Sequence, residues 1–553
     1  MVVALFALII ILTITGIYSC NQKEGFESNT VTYSTDANGI KTATFSGSGE
    51  LSGATAQLNG ATIAIIQGYS IIGTHAFKSA RTLTSITIPA SVTSIGDAAF
   101  WDATELISVI FEAGSELTTI GIYAFRQTTK LTSITIPANV TSIGNEAFSH
   151  MPALTSIIFE SGSKLTTLGN GVFFNTTALS SIVIPSGVTN IGNSLFQQAS
   201  SLTSVNIPEG VTSIGNGAFQ GASSLTSITI PSSVTTIGTH AFSEASSLTS
   251  VIFEAGSTLT SIGEFAFLRA SKLTSITIPS SVTSIGNGAF ERTSSMTSMT
   301  FEAGSKLTSI SAAMYAGGAL TSIRIPPSVT GIGGYAFAAQ QRLRFVTIPR
   351  NVTYIGEKAF QSAHSLRSIT IPANVTRVGA QVFSDARGLA TVIFAPGSKL
   401  TSIPSGMFIN AKGLIFITIP PNVTSIASDA FQGTSLLTTI SLYSTTITAL
   451  NNNGANPPIP TASGSISSFY GSGTVNITVF TAEQAQAAQA QAAREAEAAV
   501  REEAAQAQAE REAVVRQAAA REAAARESNA REIEAQAQAA REAEAREAAP
   551  KEA

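Results

Sequence analysis

Little in this chain of 553 residues can do chemistry. A single cysteine, Cys20, rules out a disulfide framework or a cysteine metal site within one chain. Four histidines (His75, His150, His240 and His364) are scattered and show no HExxH or similar spacing. Charged residues make up only 12% of the chain, and a net charge of −4 gives no global argument for nucleic acid or an acidic membrane surface as partner. No nucleophile–base–orienter set, phosphate loop or metal cluster stands out, so the sequence predicts neither an enzyme nor a bound cofactor or metal. Disorder of the whole chain is excluded too, because 44% of the residues are hydrophobic.

The N-terminus carries an address. Residues 1–20, "MVVALFALIIILTITGIYSC", form an uninterrupted apolar run followed by the polar "NQKEGFESN". The run is about long enough to span a bilayer, which takes roughly 17–25 residues. Its end at Ile17-Tyr18-Ser19-Cys20 resembles a bacterial lipoprotein signal with Cys20 as the lipidated position. Tyr18 departs from the small residue usual there, and no Lys or Arg precedes the run. An uncleaved anchor and a plain secretory signal are the alternatives. Each predicts export, and lipidation or an anchor would hold the chain to a membrane through its N-terminus.

Repetition fills most of the rest. The stretch "LTSITIPSSVTSIGNGAF", Leu273 to Phe290, has near-copies along the chain, and its closing aromatic recurs at Phe77, Phe100, Phe125, Phe148, Phe173, Phe196, Phe219, Phe242, Phe267, Phe290, Tyr315, Phe337, Phe360, Phe383, Phe408 and Phe431. The steps are 23 or 25 residues with one of 22, a period that marks a solenoid. Ile276 and Ile278 alternate with Ser275 and Thr277, the pattern of a strand with one buried face, and Pro279 should end that strand. Gly286 suits a tight turn, and Ala289-Phe290 a short helical turn that drops a ring into the core. Stacking predicts that Leu273, Ile276, Ile278, Val282, Ile285 and Phe290 are buried against their counterparts in neighbouring units.

The pattern L-x-x-I-x-I-P-x-x-V-x-x-I-G-x-x-A-F resembles the BspA-like class of leucine-rich repeats, over residues 61–445. The resemblance implies a solenoid with one parallel strand and one short helical turn per 23–25 residues, and adhesion to proteins or other cells. Val282 follows Ser281 directly, so the buried Asn ladder of ordinary leucine-rich repeats does not carry over from the motif. Residues 29–60 read as a cap hairpin about Asn38-Gly39, a favoured two-residue turn pair. Residues 446–480 read as a closing cap and linker, with a last strand near Val475 to Phe480.

From Thr481 the composition changes to Ala, Gln, Glu and Arg, with Glu four residues before Arg at Glu497/Arg501, Glu522/Arg526 and Glu542/Arg546. This predicts a long helix over 481–553. Large apolar residues are nearly absent, so the helix reads as a solvated rod or a weak oligomerising segment with self-association through 482–548.

Function is then a matter of surfaces. Outward Ser and Thr rows give a long uncharged sheet suited to broad, weak contact; ice binding is a minor reading of the same rows. One region departs from the repeat: Arg324, Arg342, Arg344, Arg350, Lys358, Arg367, Arg377 and Arg387 lie in a stretch whose only acids are Glu357 and Asp385, with Phe345 and Tyr354 in outward rows. Arg344 and Arg367 should stack one rung apart and repel unless screened or bridged by an anion. Arginine with exposed aromatics is the composition of interface hot spots. Within it Arg324, Arg344, Phe345, Arg350, Tyr354, Arg367 and Arg377 are the candidate binding site, with an extracellular protein or an anionic glycan as partner. The leading reading is an exported cell-surface binding protein or adhesin; the alternative is a surface-layer assembly protein acting through the tail.

Overall fold

The computed structural model describes residues 29–442, strands at Gly464–Ile466 and Val475–Val479, and single residues of the tail. Residues 1–20 with Cys20, most of 446–480, and the helix expected over 481–553 lie outside the described residues. Among the described residues no helix is long and apolar enough to cross a membrane.

Each repeat contributes two strands, not the single one expected. In the unit quoted above they are Ser275–Ile278 and Ser284–Ile285. The first ends before Pro279, as a residue without an amide N–H requires. The amide of Val282 then closes a turn on the Pro279 carbonyl, and the second strand begins two residues later, at Ser284. First strands pair with first strands, mostly in twos, and second strands with second strands in longer runs, all parallel and in register. Leu273, Ile276, Ile278, Val282, Ile285 and Phe290 are all buried, as the pattern predicts.

The expected helical turn is not a helix. The amides of Gly288, Phe290 and Arg292 donate to carbonyls of the next unit, at Ala312, Met314 and Ala316. The amides between them close i→i−3 turns, such as Ala289 on Gly286 and Glu291 on Gly288. This alternation needs left-handed backbone two residues before and two after the ring, and the chain adopts it even without glycine, as at His240 and Glu244. This third side of the rung is therefore bonded to the next rung, leaving no amides there for an α-helix.

The core is a continuous ring stack. From Phe77 to Phe431 successive centroids lie 4.9–6.2 Å apart with planes within 18° of parallel. Burying each ring contributes about 1.5–3 kcal/mol. Side-chain ladders support the backbone. The hydroxyls of Thr212, Thr235, Thr260 and Thr283 each donate to the carbonyl one rung back, at Thr189, Thr212, Thr235 and Thr260. An asparagine ladder is present after all, displaced to the residue following the turn glycine. Asn145, Asn170, Asn193 and Asn216 each accept, through Oδ1, the amide of the next rung.

Gly286 does not have the positive φ that a tight turn would demand of it. A Cβ there would lie 2.4 Å from the Glu264 nitrogen and 2.6 Å from the Gly263 carbonyl carbon. Glycine is needed for the close approach of two rungs. The second-strand ladder is interrupted three times, after Leu168, Ile285 and Val378. The strands that restart it are followed by Gly192, whose nearest would-be contact relaxes to 3.1 Å, by Ser311 and by Pro404.

At the N-terminal end Thr30–Thr35 and Lys41–Leu51 form an antiparallel hairpin, and the second of these strands pairs in parallel with Ile63–Ile72. The hairpin loop spans Asp36 to Ile40, longer than the two-residue turn expected, because the Asp36 carboxylate holds the amides of Asn38 and Ile40. At the other end Val475–Val479 pairs in parallel with Thr439–Leu442 and antiparallel with Gly464–Ile466.

Candidate binding surface

The first-strand ladder presents two outward rows. Its Ser/Thr character is interrupted by Ile110, Ile158 and Val183, which are 50%, 53% and 63% exposed. Few ionic groups break this half of the molecule, and its arginines are neutralised from nearby. Arg81 reaches Asp102, Arg126 reaches Glu146, Arg269 reaches Glu244, and Arg292 meets Glu291. The first three partners stand on the adjacent rung.

From residue 324 to 377 the pattern changes. Arg324, Arg342, Arg344, Arg350, Arg367 and Arg377 are all exposed, and none forms an ion pair with a described residue. The one acid in this span, Glu357, is engaged by Lys358 at 3.2 Å, and at the far end of the basic stretch Arg387 is not free but meets Asp385 at 3.8 Å. Two exposed like charges one rung apart, about 4.8 Å, repel weakly in water, and bringing an anion between them removes that repulsion.

The seven predicted residues do not form one flat cluster. Arg324 and Phe345 belong to the first ladder, where Arg324 pairs with Thr347 and Phe345 with Ser322. Arg344 and Arg367 immediately precede first strands of neighbouring units. Arg350 lies in the corner after Pro349, its carbonyl accepting the Asn374 amide at 3.0 Å. Tyr354 and Arg377 sit on the second ladder as direct rung partners. There the guanidinium carbon of Arg377 lies 5.3 Å from the Tyr354 ring centroid. The structure thus brings together Tyr354 with Arg377 on the second ladder, whereas Arg344 and Arg367 hold equivalent positions in successive units whose first strands are not paired with each other.

Sequence reasoning missed Tyr335. It is 41% exposed, its hydroxyl accepts a hydrogen bond from Lys358 Nζ at 2.8 Å, and the ammonium also lies 5.1 Å from the ring centroid. The Tyr335 position, two residues before the closing aromatic, varies freely between repeats, so the motif carried no signal there. Among the described residues no group of three or more His, Cys, Asp or Glu could hold a metal ion.

Two-strand rungs, a buried ring stack and parallel ladders define a leucine-rich-repeat solenoid. The model of the BspA type leucine rich repeat region matches residues 52–175, 212–344 and 332–453 with six copies, and the chain belongs to that family. Among solved structures, a leucine-rich repeat protein from Bacteroides ovatus is 22% identical, with 74% of this chain and 92% of that one covered and a TM-score of 0.42. A leucine rich cell surface protein from Faecalibacterium prausnitzii is 21% identical, covering 76% and 95%, with a TM-score of 0.31. The pneumococcal vaccine antigen PcpA is 18% identical, covering 78% and 94%, with a TM-score of 0.25. No curated protein sequence matches the chain.

Proposed function

We propose that the protein is exported, is held at the cell surface by its N-terminal segment, and binds an extracellular protein or anionic glycan through the region of Arg324, Arg344, Phe345, Arg350, Tyr354, Arg367 and Arg377. The observation that carries this reading is the absence, among the described residues, of ion pairs at these arginines, against the paired arginines earlier in the solenoid. A purely structural surface gains nothing from leaving one face basic, whereas an anionic partner gains both attraction and a faster encounter. The family's repeat supplies the rigid scaffold, and partner choice resides in residues that depart from the repeat. A leucine rich cell surface protein among the fold relatives is in keeping with this placement.

The test uses the full chain on a panel of immobilised sulfated glycosaminoglycans and matrix proteins across a salt series. The triple variant Arg344→Ser, Arg367→Ser, Arg377→Ser runs beside it. Saturable binding should weaken with salt and fall roughly tenfold or more in the variant, a loss of about 1.4 kcal/mol or more. Binding that the variant retains in full would move the site to the Ser/Thr ladder.

A further inference from the structure

The second-strand ladder carries Ser, Thr or Asn on its outward row almost throughout, and it changes character at three consecutive rungs. The order there is Ser309, Gly331, Tyr354 and Arg377, each the direct parallel partner of the next. Gly331 leaves a step with no side chain, and a Cβ placed on it would meet nothing within 4 Å. The rung continues as Ile332, which is buried, then Gly333, Gly334 and the exposed Tyr335. The outer surface of this rung is therefore bare backbone from Gly331 to Gly334.

Arg377 stacks on Tyr354 from one rung beyond it. A ring that stacks on a neighbour one rung away lies across the solenoid axis, so its opposite face looks over Gly331. We infer that the Gly331–Gly334 rung floors a trough for an acidic saccharide, in which a sugar ring lies against the open face of Tyr354. This inference rests on the basic region being the binding face and names the ligand of that same site.

Three observations select a sugar. Gly331 and Ile332 are hydrogen-bonded into the ladder on both sides, so the trough has no free strand edge to which a peptide could add. The guanidinium on the far face of Tyr354 opposes a second cation on the near face, which disfavours a lysine or arginine side chain of a protein partner. A neutral ring with a C–H face suits the open phenol face, and its acidic substituent can reach past the ring edge toward Arg377, which has no acidic partner among the described residues. Tyr335, held by Lys358, closes the other end with a second partly exposed aromatic.

Gly331→Ser tests the trough without threatening the fold. It restores the residue that Ser309 provides one rung away, into open space. Full-length wild type, Gly331→Ser, Tyr354→Ser and Arg344→Ser/Arg367→Ser proteins are titrated with a chondroitin sulfate octasaccharide and with a poly-glutamate peptide of matched charge. Thermal unfolding is recorded for each. The expected result is octasaccharide binding weakened roughly tenfold or more by Gly331→Ser and by Tyr354→Ser, with the Gly331→Ser melting curve unchanged and the peptide bound more weakly than the sugar. Undiminished octasaccharide binding in Gly331→Ser, with loss in the arginine variant, would overturn the trough and leave the basic face standing. Equal weakening of poly-glutamate by Gly331→Ser would make the trough a peptide site and overturn the saccharide. Binding of neither probe by wild type would remove the trough, and the basic face with it.

Discussion

Gly286→Ala should be among the most damaging single-methyl additions available in this chain. The new Cβ would sit 2.4 Å from the Glu264 nitrogen and 2.6 Å from both Glu264 Cα and the Gly263 carbonyl carbon. These are backbone atoms, so no rotamer change relieves the clash. Restoring ordinary contact requires the two rungs to part by about 1 Å. The Gly286 amide now donates to Ile262 at 2.8 Å, and that opening would stretch the bond beyond useful length. Overpacking costs about 1–3 kcal/mol and the lost hydrogen bond about 0.5–1.5 kcal/mol, which together give roughly 2–4 kcal/mol. Gly256→Ala is the control. Its φ is +75° with nothing within 4 Å, so its cost of about 1–2 kcal/mol is that of left-handed backbone alone.

Because each rung contacts only its neighbours, the lesion should stay local. Hydrogen exchange on the full chain should show the amides of residues 283–286 losing protection, while those near Ile120 and Ile143 keep theirs. Urea titration should rank Gly286→Ala below Gly256→Ala in stability. The reverse ranking, or unchanged protection at 283–286, would refute the close-approach account and return Gly286 to an ordinary turn residue. The chain already shows part of the outcome: the second ladder is broken where Ser311 and Pro404 stand in place of this glycine. Ala427, at the same position one rung after Pro404, keeps its amide bonded to the Ile403 carbonyl at 3.0 Å, so a Cβ is accommodated at that rung, where the neighbour is proline and not glycine.

Tyr315 replaces phenylalanine in the ring stack, fully buried, with a hydroxyl that finds no partner among the described residues and a phenol pKa pushed far up by burial. Tyr315→Phe should therefore raise unfolding stability by about 1–3 kcal/mol in urea titration, and a loss of stability would show that the hydroxyl is satisfied after all. The charge of Glu254 raises the carboxyl pKa of Glu209, with burial and a side-chain hydrogen bond adding to it. A raised folded pKa means that the folded state is favoured below the ordinary carboxylate range and loses that advantage as pH rises through it. Glu209→Gln should thus raise the melting midpoint at pH 7 relative to wild type and leave it unchanged near pH 3; the same difference at both pH values would exclude charge repulsion as the cause.

Several features of this architecture were legible in the chain as a string. A period of 23 or 25 residues, alternation within Ser275–Ile278 and a proline after it are local signals, and burial at Leu273, Ile278 and Phe290 follows from them directly. The second strand was not legible. Two residues, as in Ser284–Ile285, are too few for a periodicity, and their extended form comes from pairing with another unit. The same limit hid the third ladder: "GNGAF" has the composition of a turn or a short helix, and only the carbonyls of the next rung decide where its amides go. The basic region was visible as composition. That six of its arginines lack carboxylate partners among the described residues was not, because the partners of Arg81, Arg126 and Arg269 lie 20–25 residues away in sequence.

By itself, then, the sequence determined the repeat, its family, the buried stripe and the place where the pattern departs toward positive charge. The tertiary structure alone decided how many ladders each rung builds, why Gly286 must be glycine and what the missing side chain of Gly331 exposes. The physical reason is that the neighbours of every residue here are one turn of the solenoid away. A chain read residue by residue shows which side chains exist, and only the register of stacked rungs shows which of them meet.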